Sequence, residues 1–138
     1  MDVFAVAQLL SSLAPDKRDV REFFRSPSES LSMSILRRPA GTQDSQQPHT
    51  EDEVYYVVLG RAIINIAGEE AELGPGSIVF VPAGVEHRFT ETIDDLEMLV
   101  FWSPARHSRG PEGRASHDGT LDSRRDLWTA ESDMPEAR

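Results

Sequence analysis

Of the four histidines in the 138-residue chain, His49 and His87 fall in a pattern that can do chemistry. His49 stands two residues after Gln47 and four before Glu53, and His87 follows the Pro82-Ala83-Gly84 turn. Gln47, His49 and Glu53 share parity, so an extended segment points all three to one side. Glu53 heads the run EVYYVVL, whose same-parity members Tyr55, Val57 and Leu59 are aromatic or apolar, so that face is expected to look inward. An isolated carboxylate on an inward face is costly and takes up a proton unless a cation pairs with it. A divalent metal shared by two imidazoles and the carboxylate removes that cost, and His87 is the obvious second imidazole. Two histidines and one carboxylate form the facial set of non-haem Fe(II) oxygenases and also occur in hydrolytic zinc sites. The chain has no cysteine, which excludes thiolate ligands and thiolate nucleophiles.

Around this set the sequence offers a few supporting side chains. Tyr55 is expected to line the pocket or to be simple core. Arg37 continues the Leu31, Met33 and Ile35 face and has two readings, an inward group that holds a substrate carboxylate or a salt-bridged strand end. Glu51 and Asp52 are expected as exposed acids beside the site, with Glu51 a weaker candidate general base.

The elements that must position these residues are short strands. Val3 to Leu13 reads as a helix, with Asp2 as N-cap and Pro15 past its end. Asp19 to Arg25 and Leu31 to Arg38 read as strands, the second with Leu31, Met33 and Ile35 on its buried face. Glu53 to Leu59, Ala62 to Ala67, a return to Leu73, Ser77 to Val81, Val85 to Thr90 and Leu96 to Trp102 follow, each bounded by Gly or Pro turns. This spacing indicates an all-β sandwich or barrel. Residues 105–138 are rich in Ser, Arg, Asp, Gly and Pro and read as a mostly disordered tail, with Leu121 to Ala130 as a transient helix.

The frame Gly41-x5-Gln47-x-His49-x3-Glu53-x6-Gly60, then Gly76-x5-Pro82-x-Gly84-x2-His87-x3-Glu91, resembles the paired motifs of the cupin superfamily. Those motifs run G-x5-H-x-H-x3,4-E-x6-G and G-x5-P-x-G-x2-H-x3-N. The resemblance implies a double-stranded β-helix (jelly-roll) barrel over residues 30–104, with residues 1–29 as a helix and first strand and 105–138 as the tail. It implies one divalent metal ion per chain, held by His49, Glu53 and His87, with Gln47 as a weaker fourth donor. Gln47 stands where the family has its first histidine, and Gln46 takes that place if the loop is offset by one. Glu91 replaces the final Asn, which is not a ligand in the family. Fe, Mn, Zn and Ni all remain open as the ion.

Composition narrows the partners. The chain carries 24 acidic and 14 basic residues, a net charge of -10, with the excess in its central third. Such a surface repels phosphate backbones and anionic membranes, so neither nucleic acid nor membrane is an expected partner. The absence of cysteine and of an apolar span points to the cytoplasm, and the apolar Leu96–Trp102 strand with exposed barrel edges points to a homodimer. Three readings of function follow. One is a metal-dependent enzyme acting on a small organic molecule, by dioxygenase-like oxygenation or by isomerisation. The others are a non-catalytic ligand-binding or sensing barrel, and a zinc cupin similar to sugar isomerases.

Overall fold

The computed structural model describes residues 1–109. One helix, α1 (Val6–Ser11), precedes eight strands: β1 (Asp19–Arg25), β2 (Ser32–Arg38), β3 (Asp52–Leu59), β4 (Ala62–Ile66), β5 (Glu69–Leu73), β6 (Ile78–Val81), β7 (His87–Thr92) and β8 (Leu96–Ser103). They form a five-stranded sheet in the order β1-β2-β8-β3-β6 and a three-stranded sheet in the order β5-β4-β7. Every strand pair is antiparallel. The expected all-β sandwich is therefore present, and the strands start and stop within about two residues of the Gly and Pro signals. The helix is shorter than its apolar pattern, because the chain before Val6 is extended (Ala5 has φ −111° and ψ 121°).

The core lies between the sheets. Leu36, Tyr55, Val57, Val81, Met98, Val100 and Trp102 of the large sheet meet Ala62, Ile64, Leu73 and Phe89 of the small one. Register gives each row of the large sheet one inward side. Ser32, Trp102, Glu53 and Val81 are successive cross-strand partners, as are Ser34, Val100, Tyr55 and Val79.

Two face assignments differ from expectation. On β2 the residues in register with this core are Ser32, Ser34, Leu36 and Arg38, all fully buried, while Met33, Ile35 and Arg37 alternate to the other side, where Ile35 is also fully buried and Met33 and Arg37 are half-buried. Alternation fixes which residues share a face but not which face is the interior. Here the small serines take the crowded lumen. Arg37 accordingly does not reach inward. Its guanidinium pairs with Glu97 at 2.8 Å and donates to the carbonyls of Leu10, Leu13 and Ala14, tying the α1 segment to β2. On β3, Leu59 is 52% exposed although Val57 is buried, because the pairing with β8 slips between them. A bulge of this kind moves every later side chain to the other face.

Gly60 ends β3 at φ +94°, and a Cβ there would overlap the Asp95 carbonyl. Gly60→Ala is expected to cost at least about 2 kcal/mol from the left-handed backbone and the clash combined. A lower urea midpoint with an unchanged slope would report it; an unchanged midpoint would contradict the tight approach.

Ala105, Arg106 and His107, expected within the flexible tail, are buried instead. The Ala105 amide donates to the Glu29 carbonyl and the Arg106 amide to the Ser32 hydroxyl, both at 2.9 Å. The candidate helix Leu121–Ala130 lies outside the described residues. Among the described residues, no helix is long and apolar enough to cross a membrane.

Candidate metal centre

Three elements converge at one end of the sandwich. Glu53 comes from β3 of the large sheet, His87 from the first residue of β7 in the small sheet, and His49 from the irregular segment before β3. The Pro82-Ala83-Gly84 turn delivers His87, and the Gly84 amide donates to the His49 carbonyl at 2.7 Å, locking the two loops together. His49 Nε2 lies 2.9 Å from Glu53 Oε1 and 3.2 Å from His87 Nε2. His87 Nε2 lies 3.2 Å from the same carboxylate oxygen. Glu53 is fully buried, and His87 and His49 nearly so.

The other ring nitrogens decide what these atoms can do. His49 Nδ1 faces the Glu51 carbonyl at 3.0 Å, and His87 Nδ1 faces the Val85 carbonyl at 2.9 Å. A carbonyl only accepts, so each Nδ1 carries a hydrogen and Nε2 is the atom each ring turns to the centre. Burial pushes the His49 imidazole below its usual range. Glu53 opposes this, while the Arg106 and His87 charges add to it. Burial pushes the Glu53 carboxyl up, but the two imidazoles outweigh that and hold it well below the usual carboxylate range. With an ion bound, the three facing atoms, two Nε2 and one carboxylate oxygen, would each turn a lone pair to it, and any proton shared between them would be displaced. Glu53 Oε2 is also buried with no hydrogen-bond partner. Donor atoms about 3 Å apart suit a single ion bound at about 2.0–2.2 Å, so the residues fit a divalent metal.

The remaining candidates separate clearly. Gln47 is exposed, whereas Gln46 is buried at 2% exposure. The Gln46 amide nitrogen donates to Asp44, itself paired with Arg38 at 3.3 Å, and its Oε1 is buried without a hydrogen-bond partner. Tyr55 is core, packed edge-on against Phe89 at 5.2 Å. Glu51 is not an exposed acid. It is buried, with Oε1 accepting from Arg106 Nη1 at 3.2 Å and Oε2 accepting from the His107 amide at 2.8 Å. Asp52 is exposed and caps the turn by accepting from the Ala83 amide. The sequence reasoning missed Arg106. The parity of Glu51 with His49 and Glu53 was the available signal, since a second buried acid on that face demands a cation from elsewhere in the chain.

This geometry agrees with the comparisons. Residues 34–104 match the family model described as a cupin domain. The chain is a cupin. An uncharacterised protein of Streptomyces coelicolor is 40% identical over 104 residues, covering 75% of this cupin and 97% of that protein. The dimethylsulfoniopropionate lyase DddQ of Ruegeria pomeroyi is 36% identical over 77 residues, 54% of this chain and 38% of the lyase. Its crystal structure aligns with a TM-score of 0.57 at 30% identity, over 64% of this chain and 47% of that one. The acireductone dioxygenase of Rhodopseudomonas palustris is 33% identical over 101 residues, 67% of this chain and 57% of the dioxygenase. This cupin thus spans well under two-thirds of the two enzymes it resembles.

Proposed function

We propose that this cupin is a metal-dependent enzyme that oxygenates a small organic molecule, in the manner of a dioxygenase. The observation that carries the reading is the meeting of two Nε2 atoms and the Glu53 carboxylate within 2.9 to 3.2 Å in a buried space. Similarity to acireductone dioxygenase supports the reaction class. When bound, a divalent metal supplies a Lewis-acidic, redox-capable centre for small oxygen-containing ligands. The protein's own part is to hold that centre ready. His49 and His87 are fixed in one tautomer by backbone carbonyls, and Glu53 supplies the negative charge. Trp102, at 4.6 Å from the His49 ring, and Tyr55 exclude bulk water from beneath. Glu51, already bonded to Arg106 and the His107 amide, is unsuited to act as a general base.

Gln46 rather than Gln47 is the proposed fourth donor, because only Gln46 combines burial with an unpartnered oxygen. Gln46→Ala is expected to weaken metal binding several-fold and Gln47→Ala to leave it within error, as read by titration with Co(II). The opposite order would return the role to Gln47. We also propose a homodimer, although not through β8, which is central in its sheet. Ile78, Phe80 and Tyr56 lie exposed on the outer face at the β6 edge and form the apolar surface for a second copy. The decisive test of function is oxygen consumption by Fe(II)-loaded protein across a panel of small acids, diketones and thioether compounds. Stoichiometric metal with no oxygen uptake and no product on any of them would sink the enzymatic reading in favour of a binding module.

A further inference from the structure

The five residues that follow β8 and Pro104 leave the large sheet and return to the segment that carries His49. Arg106 is central to this return. Its guanidinium lies over the Trp102 ring at 4.5 Å, and Nη1 donates to Glu51 Oε1 at 3.2 Å. The next amide, of His107 at φ +66°, donates to Glu51 Oε2 at 2.8 Å, so both oxygens of one buried carboxylate are engaged. Arg109 Nη1 then donates to the Thr50 carbonyl at 2.8 Å. The segment is anchored from its other side, where Arg25 Nη2 donates to the Arg106 carbonyl at 2.6 Å.

Apart from the Arg25 bond, these contacts fall on Thr50, Glu51 and Trp102, the residues that border or anchor the His49 ring. The Glu51 carbonyl is the acceptor that fixes His49 Nδ1–H, and Trp102 is the ring packed edge-on to His49 at 80°. The Glu51 side chain approaches the same nitrogen at 3.9 Å. A backbone carbonyl orients an imidazole only if the backbone itself is held, and residues 44–50 belong to no strand. What holds it is the buried Glu51 carboxylate, paired with Arg106 through one oxygen and bonded by the His107 amide through the other, charge-assisted contacts that are stronger and more directional than neutral ones.

We infer that residues 105–109 form a strap whose Arg106–Glu51 pair is a positioning device for His49, setting its tautomer and aim from outside the ligand set. This rests on the metal reading of the site for its functional meaning, although the orientation of the ring itself does not. Arg106 and Glu51 touch neither metal nor substrate. Partners that orient a ligating histidine change metal affinity by about 10- to 100-fold when lost.

The test uses the full chain and Co(II) as the probe. Removing Arg106 alone leaves a buried carboxylate without its cation and endangers folding, so Glu51→Gln/Arg106→Met, which removes both charges, is made beside Arg106→Met and Arg106→Lys. The double variant is expected to fold, to bind Co(II) about 10- to 100-fold more weakly and to show shifted Co(II) absorption bands. Arg106→Lys is expected to restore most of the affinity and the bands, which a merely structural contribution would not do. Wild-type affinity and unchanged bands in the double variant would overturn the strap. If the wild type itself binds no Co(II), the metal reading fails, and the strap is judged on the metal-free protein by 15N-resolved imidazole spectra. A single Nδ1–H tautomer of His49 in the wild type that becomes mixed in the double variant upholds it. An identical spectrum in both overturns it.

Discussion

His49→Ala/His87→Ala protein is expected to hold no divalent metal, while wild-type protein holds one ion per chain. The expectation follows from the hydrogen bonds of the two rings. Each spends its Nδ1–H on a backbone carbonyl and turns Nε2 towards Glu53, so an ion is the partner that can engage all three ligand atoms at once. Metal present at a hundred times its dissociation constant stabilises the folded state by about 2.7 kcal/mol. For a domain of this size that raises the melting temperature by roughly 10 °C. Elemental analysis and melting with and without chelator check both parts. Glu53→Gln gives the same readout with little change of shape, since it keeps the side chain's volume and removes only its charge. Wild-type protein that carries no metal, and that melts at one temperature whether or not Fe(II), Zn(II) or Ni(II) is added, would refute the centre.

Trp102→Ala is expected to cost about 3–5 kcal/mol, the usual range for removing a fully buried tryptophan. Small domains are stable by only about 5–15 kcal/mol, so this variant sits near the limit of folding. The large effect reflects where the ring lies. It shares a row with Ser32, Glu53 and Val81, packs edge-on to His49 and carries the Arg106 guanidinium on its face. Its loss opens a cavity beside His49 and Glu53 as well as in the core. Chemical denaturation followed by far-UV circular dichroism measures the cost, with Trp102→Phe expected to recover much of it. A loss below about 1 kcal/mol would show that the surroundings collapse into the gap.

The strands and the ligand trio were legible in the sequence for local reasons. Gly and Pro punctuate the chain where strands must end, and β-branched residues fill the segments between them. The inward face of β3 was legible as well, since Glu53, Tyr55 and Val57 alternate with polar or half-buried neighbours. Local pattern failed where both sides of a strand are covered. β2 has five buried residues of seven, so its alternation carried no sign of which side was the lumen; of the two readings of Arg37 the salt-bridged one holds, and Arg38 is the buried arginine. Leu59 escaped for another reason. A bulge is an irregularity of pairing between two strands, and neither strand alone records it.

The amino-acid order alone pointed to a small all-β protein of the cupin family and singled out His49, Glu53 and His87, the group that could hold a metal ion. Those features depend on residue type and short spacing, and both are written along one segment at a time. Only the tertiary structure decided that Glu51 is buried beside Arg106, that Gln46 rather than Gln47 turns inward, and that residues 105–109 return to the site. The first and third depend on a charge or an amide finding its partner more than fifty residues away, and the second on Asp44, the partner of Gln46, itself pairing with Arg38 and the Phe89 amide. Burial in a shared low-dielectric interior makes such partnerships strong, and nothing near Glu51 in the sequence names Arg106 as its partner.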